Sequence, residues 1–241
     1  MTILGTVVLA AALAVAQDTN DVPRYDMDVR FAADLRAVAV TGALHVPRSL
    51  MSSDTLELRL SRLFRELRFT EESGRVVNAA ALGDTTGDPR NYRLIVGGAR
   101  DTVRLRFSYT GGSGIGFGYA LDGEAAFAAS NLTAWYPLLN RADTWVPVRG
   151  IGRVRFAVPN GLTVVASGAR RDASTYDFVV PSFFSYSIAR YIRTAYDGPI
   201  DVTFYTLQER PDTRAHAQRT AELLDVLQRV FGKYPYPEFA M

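Results

Sequence analysis

The feature that most limits this chain is a side-chain period of two. Tyr25-Asp26-Met27-Asp28-Val29-Arg30-Phe31 alternates apolar and charged residues without a break. A strand places successive side chains on opposite faces, so such a stretch reads as a half-buried β-strand. The pattern returns at Val38, Val40, Leu44 and Val46, with Gly42 marking a bulge or a close approach and Pro47 ending the run. Leu56, Leu58 and Leu60 alternate, although the following LSRLFRELRF also fits a helical turn. Leu67 and Phe69 precede a turn signal, Glu72-Ser73-Gly74, after which Val76-Val77 returns. Gly83 to Asn91 reads as a loop. Tyr92, Leu94 and Val96, then Val103, Leu105, Phe107 and Tyr109, form the clearest hairpin. Val154, Phe156 and Val158 lead through Pro159-Asn160-Gly161 to Leu162–Gly168, and further strands fall around Tyr176–Val180, Tyr186–Tyr191 and Ile200–Thr206. Many short strands without βα alternation predict a mainly β fold of antiparallel sheets, saddle- or sandwich-like.

The two ends depart from this pattern. Thr2 to Ala16 is an uncharged apolar run, shorter than the ~20 residues a spanning helix needs. Ala14-Val15-Ala16 has the A-x-A form of a signal-peptidase site. Residues 1–16 are therefore expected to be a signal peptide, with the protein exported. No second long apolar run occurs, so no membrane span is expected in the mature chain. At the other end, Leu223, Leu224, Leu227, Val230 and Phe231 recur at helical spacing. Asp212 or Thr213 can cap the start, and Gly232 and Tyr234-Pro235-Tyr236-Pro237 end the helix. An apolar stripe must bury itself against something. Residues 25–207 are thus expected to form the β-domain. Residues 208–241 are expected to be a linker and the short helical start of a missing α-rich domain.

Charge and side-chain chemistry exclude several functions. The chain has 27 basic and 25 acidic residues with no block of one sign, which argues against nucleic-acid binding. It has no cysteine, hence no disulfide, thiolate metal site or cysteine nucleophile. The two histidines, His45 and His216, belong to no H-E-x-x-H and no ligand cluster. His45 lies between Leu44 and Val46 and should face solvent, whereas His216 should be packed or half-buried at the stripe's edge. No G-x-S-x-G elbow is present. The glycine-rich Thr110–Gly118 lacks the Lys-Ser/Thr pair and following helix of a phosphate loop, and reads as a mobile surface loop. Glu71-Glu72 reads as a solvated turn. Trp135 and Trp145 read as core fillers, with ligand stacking as the alternative. Asp122 and Glu124 have a more site-like setting, between the glycine-rich loop and an apolar stretch, with surface loop charge as the alternative. No catalytic or metal-binding residue is expected in this chain.

Several stretches together resemble the aminopeptidase-N family of zinc metallopeptidases, the gluzincins with an N-terminal saddle-like β-domain. Tyr25 to Val46 looks like that domain's first hairpin, and Leu105–Gly111 (LRFSYTG) like its strand ending in an aromatic and a glycine. Trp135-Tyr136-Pro137 and Phe156–Gly168 are similar to its aromatic-Pro turn and following hairpin, and Phe183–Tyr191 to its closing strands. Val230–Phe239 (VFGKYPYPEF) looks like the helix and F-G-x-Y-P-Y-P entry to the catalytic domain. The resemblance implies a substrate-cleft-forming domain of an exported aminopeptidase, inactive alone. Its missing C-terminal catalytic domain would hold the zinc and act on a peptide substrate. This chain itself would carry no cofactor. Family members place a glutamine near the substrate's N-terminus, about a dozen residues before the aromatic-Pro turn. That glutamine is absent here. Glu124 is the nearest polar side chain and becomes the substrate-binding candidate, a carboxylate suited to an α-ammonium group. The alternative reading is a stand-alone, non-catalytic secreted β-sandwich that binds peptide, protein or glycan.

Overall fold

A computed structural model describes residues 21–83, 88–97, 101–116, 118–129, 133–142, 144 and 146–241. The expected signal peptide and Trp145 lie outside the described residues. The first half of the chain runs β1 (Arg24–Phe31), β2 (Ala37–Pro47), β3 (Thr55–Leu60), β4 (Phe64–Glu71), β5 (Val76–Val77), β6 (Ala79–Leu82), β7 (Arg90–Ile95), β8 (Thr102–Gly112), β9 (Gly114–Gly116), β10 (Tyr119–Leu121) and β11 (Ala126–Ala129). The second half adds β12 (Leu138–Leu139), β13 (Gly150–Ala157), β14 (Thr163–Ala166), β15 (Ala169–Arg170), β16 (Thr175–Ser182), β17 (Ser185–Ala189), β18 (Ile192–Tyr196), β19 (Asp201–Thr206), helix α1 (Thr213–Phe231) and β20 (Glu238–Ala240).

The alternating stretches become strands, and their apolar members face one core. In β1, Tyr25, Met27 and Val29 are buried while Arg24, Asp26 and Arg30 are not. LSRLFRELRF resolves into the end of β3 and the start of β4, not a helix. Gly42 is a close approach: a Cβ there would lie 2.6 Å from the Phe107 ring and 2.7 Å from the Asp26 carbonyl. The strands form an eight-stranded sheet in the order β15-β16-β13-β1-β2-β8-β4-β5. A five-stranded sheet runs β14-β17-β11-β10-β9, and a four-stranded sheet β12-β3-β7-β6. Among the described residues pairing is antiparallel, with two exceptions. β1 lies parallel to β13, and β20 lies parallel to β19.

The large core is threaded by an irregular segment. Thr133 to Asn140 is buried throughout, and Ala134 adopts a positive φ of 49°. Such a segment has few ladder partners for its carbonyls, and buried carbonyls need donors. Side chains and two backbone amides supply them, one being the Val148 N–H, which donates to the Leu139 carbonyl at 2.8 Å. Ser61 N–H donates to the Ala134 carbonyl at 3.0 Å. Tyr109 Oη donates to the Trp135 carbonyl at 2.7 Å, and Tyr25 Oη to the Pro137 carbonyl at 2.9 Å. The Trp135 indole N–H donates to the Phe184 carbonyl at 2.7 Å. Tyr136 stacks on Phe184 at 5.0 Å between ring centroids, and Tyr25 meets Tyr136 edge-on at 5.1 Å.

A second, smaller core lies between α1 and the three-stranded sheet β18-β19-β20. It consists of Val202, Ala217 and Ala221, with Tyr196, Phe204, Leu224 and Phe239 packed around them. The Tyr-Pro-Tyr-Pro segment turns the chain back, so that Val202 and Phe239 stand side by side in the parallel pairing.

Glu71 corrects the solvated-turn reading. It shares strand parity with Phe69, ends β4 only 8% exposed, and pairs with Arg75 across the turn. It also accepts the Gly97 N–H at 3.0 Å. Arg75, and then the Gly97 amide, hold its carboxyl down at about 2, from an ordinary 4.5. Glu72 remains outside, paired to Arg104 at 3.3 Å.

Two outcomes are expected from this packing. Tyr109→Phe leaves the Trp135 carbonyl buried without its donor and should lower unfolding free energy by about 1–3 kcal/mol in urea titrations. Glu71 has a depressed folded pKa, so its contribution is complete above pH 4.5 and disappears as pH falls toward about 2. Glu71→Gln should cost about 1–2 kcal/mol at neutral pH, reduced by screening at half-exposed Arg75, and should flatten the acid limb of stability between those values.

Candidate functional site

The strongest candidate site is a cavity at one end of the sheets, where four connections meet. The first is the turn between β1 and β2. Leu35 lies there, 1% exposed, with a positive φ of 51°. The second is the β10–β11 turn, Asp122 to Ala125. Asp122 Oδ1 accepts the backbone N–H groups of Glu124 and Ala125, each at 2.9 Å. Those amides, Ala125 first, hold the Asp122 carboxyl below its ordinary range. Gly123, at φ 98°, donates its N–H to the Leu35 carbonyl at 3.1 Å, tying the two turns together. The third connection is the Pro159–Leu162 turn, closed by Leu162 N–H donating to the Pro159 carbonyl at 3.2 Å. The fourth wall comes from Ala189, Arg190 and Leu207.

The cavity measures about 580 Å³, and its lining includes Leu35, Glu124, Asn160, Leu162, Arg190 and Leu207. That volume falls within the roughly 300–1,000 Å³ of small-molecule sites. Glu124, the residue singled out by sequence, thus projects from a braced turn beside a cleft. Asp122 shapes that turn. Arg190 was not foreseen. It follows β17, far along the chain, and only the fold brings it to the same cavity.

Other sequence candidates are not brought together. His45, on β2, faces away from Leu44 and Val46 as expected, but is half-buried; burial and then Arg104 lower its pKa. His216, expected to be packed, is exposed on α1 and hydrogen-bonded to Asp212 at 2.9 Å. The helix is turned so that Ala217, not His216, faces its sheet. Among the described residues no group of three or more His, Cys, Asp or Glu side chains could hold a metal ion. Trp135 is 1% exposed with its indole N–H satisfied, so it offers no stacking platform. The glycine-rich stretch is largely paired backbone: β8 runs through Gly112 and β9 joins β10, with no helix to cradle phosphate.

A second feature is the outer face of α1. Thr213, Ala217 and Ala221 face inward, and Leu224 packs at the border. The larger apolar residues face out: Leu223, Val226, Leu227, Val230 and Phe231 are 40–65% exposed. The apolar stripe is present as read, yet among the described residues only Leu224 is packed against a core.

No protein-family model matches the sequence, and no curated protein matches it. Solved structures do share the fold. An aminopeptidase N family protein from Idiomarina loihiensis superposes with a TM-score of 0.58 at 10% identity, over 90% of this chain and 38% of that one. An M1 zinc metallopeptidase variant from Deinococcus radiodurans, bound to a Tyr-Ser-Ala substrate, superposes with a TM-score of 0.63 at 17% identity. The match covers 91% of this chain and 55% of that one. This chain therefore spans a part of each relative's length, and what they share is the fold.

The two faces of α1 should respond oppositely to substitution. Replacing Leu227 and Val230 together by serine should change unfolding free energy by less than about 0.5 kcal/mol and reduce binding of a hydrophobic dye. Ala221→Leu overpacks the small core and should cost about 1–3 kcal/mol. Equal losses in denaturant titrations would contradict this assignment of faces.

Proposed function

We propose that this chain is the cleft-forming β-domain of an exported zinc aminopeptidase-like metallopeptidase. The parent protein would hydrolyse N-terminal peptide bonds, and this domain alone would be inactive. The observation that carries the reading is the exposed apolar face of α1, next to Tyr234-Pro235-Tyr236-Pro237. A helix that buries alanines and exposes leucine, valine and phenylalanine is built to be covered by a further body. The shared fold with metallopeptidases, over only part of their length, supports the same reading. The A-x-A site at Ala14-Val15-Ala16 supports export.

Zinc would belong to the covering catalytic domain. The residues here do not fit it, since His45 and His216 lie on separate elements and, among the described residues, no group of three or more ligating side chains forms around either. This chain's contribution would be to wall the substrate cleft. Glu124 is the group proposed to face the substrate's α-ammonium, supported by its place beside the cavity.

The test is the coding sequence downstream of Met241, followed by expression of the whole product. A continuation encoding H-E-x-x-H, and a product that releases amino acids from short peptides with both ends free only with zinc, are expected. The described chain alone should neither retain stoichiometric zinc nor release amino acids. A stop codon directly after Met241, or turnover by this chain alone, would overturn the proposal.

A further inference from the structure

The cavity carrying Glu124 has a second charged wall of opposite sign. Glu124 and Arg190 both line it, and neither side chain has an ion-pair or hydrogen-bond partner among the described residues. This differs from the polar face of the eight-stranded sheet, where Arg155 is neutralised by Asp26 at 2.9 Å and Asp28 at 2.7 Å. In the cavity a free carboxylate and a free guanidinium face one space without quenching each other. Between them the lining is apolar: Leu35, Pro159, Leu162 and Leu207, with the Asn160 amide at the edge. Leu207 is 69% exposed and would gain most from being covered.

The walls are braced. The Glu124 turn is fixed by Asp122 and by the Gly123–Leu35 hydrogen bond. Arg190 lies just beyond the β14–β17 pairing, which holds Thr163 against Ala189. Its Nη1 sits 3.4 Å from where a Cβ on Gly161 would stand, so the guanidinium overhangs the Pro159–Leu162 turn.

We infer that this cavity binds a small zwitterion with an apolar body: a free amino acid or short peptide that keeps both its ammonium and its carboxylate. The inference rests on reading Glu124 as a ligand-facing group, and adds Arg190, the carboxylate end and the apolar wall. A carboxylate accepts N–H bonds from an ammonium group, and a guanidinium grips a carboxylate with two parallel bonds. A lone amine would meet Arg190 as a like charge, and a lone acid would meet Glu124. Only a molecule with both ends free satisfies both walls, while its side chain covers the leucines.

The test is calorimetric titration of the purified chain with L-leucine, Leu-Leu and Leu-Leu-Leu. Leucinamide peptides lacking the carboxylate, and N-acetyl peptides lacking the ammonium, are titrated in parallel. At least one zwitterion should bind saturably, with both blocked forms weaker by about tenfold or more. Glu124→Gln should abolish the penalty for acetylation and Arg190→Gln the penalty for amidation, with thermal unfolding unchanged in both variants. No saturable binding of any zwitterion overturns the inference, whatever lies downstream of Met241. Equal binding of amides and free acids, unaffected by Arg190→Gln, also overturns it. That last result leaves the reading of Glu124 standing.

Discussion

The structure depends on satisfying the backbone of a buried, irregular segment. Thr133 to Asn140 passes through the centre of the fold without a continuous ladder. Each orphaned carbonyl there would cost about 1–3 kcal/mol. Two tyrosines from the inner face of the large sheet meet that demand, one on β1 and one on β8. Their rings are core material and their hydroxyls are donors. Because each hydroxyl reaches a fixed carbonyl, the register of β1 and β8 is coupled to the path of the segment. The indole of Trp135 extends the same coupling to Phe184, and so to the five-stranded sheet. Packing and polar satisfaction here select the same arrangement, which is what gives a core one conformation.

Most strands could be read from sequence, because each has one wet and one dry face and period-two alternation records that directly. Pairing was less legible. The parallel contact of β1 with β13 joins segments more than a hundred residues apart, and nothing local to either strand announces it. The tyrosine hydroxyls were likewise invisible, since an alternating tyrosine reads only as an apolar ring. Glu71 was misread for a related reason. Its neighbours Glu72, Ser73 and Gly74 signal a turn, while its own parity follows Phe69 into the interior. The spacing to Arg75, which resolves the conflict, becomes meaningful once the turn closes.

At the cavity, half of the chemistry was legible. Glu124 drew notice through its setting and a family resemblance, whereas Arg190 had no local signal. Sites assembled by loops behave this way: a scaffold gathers residues that the chain keeps apart. The helix shows the opposite case. Its large apolar residues were read correctly as a stripe. What the sequence concealed was that alanines would take the inward positions, since a helix close to a sheet accepts only small side chains at the contact.

That alanine contact makes the molecule mechanically uneven. The main core is built from rings and long aliphatic chains, but α1 and its three strands hold together around one valine and two alanines. Cohesion of that order is weak, and the region holding it would separate first on warming. Gentle heat or a protease would therefore peel away the carboxyl-terminal segment and leave the larger sheets intact, so that digestion fragments, more than any melting curve, would reveal the seam.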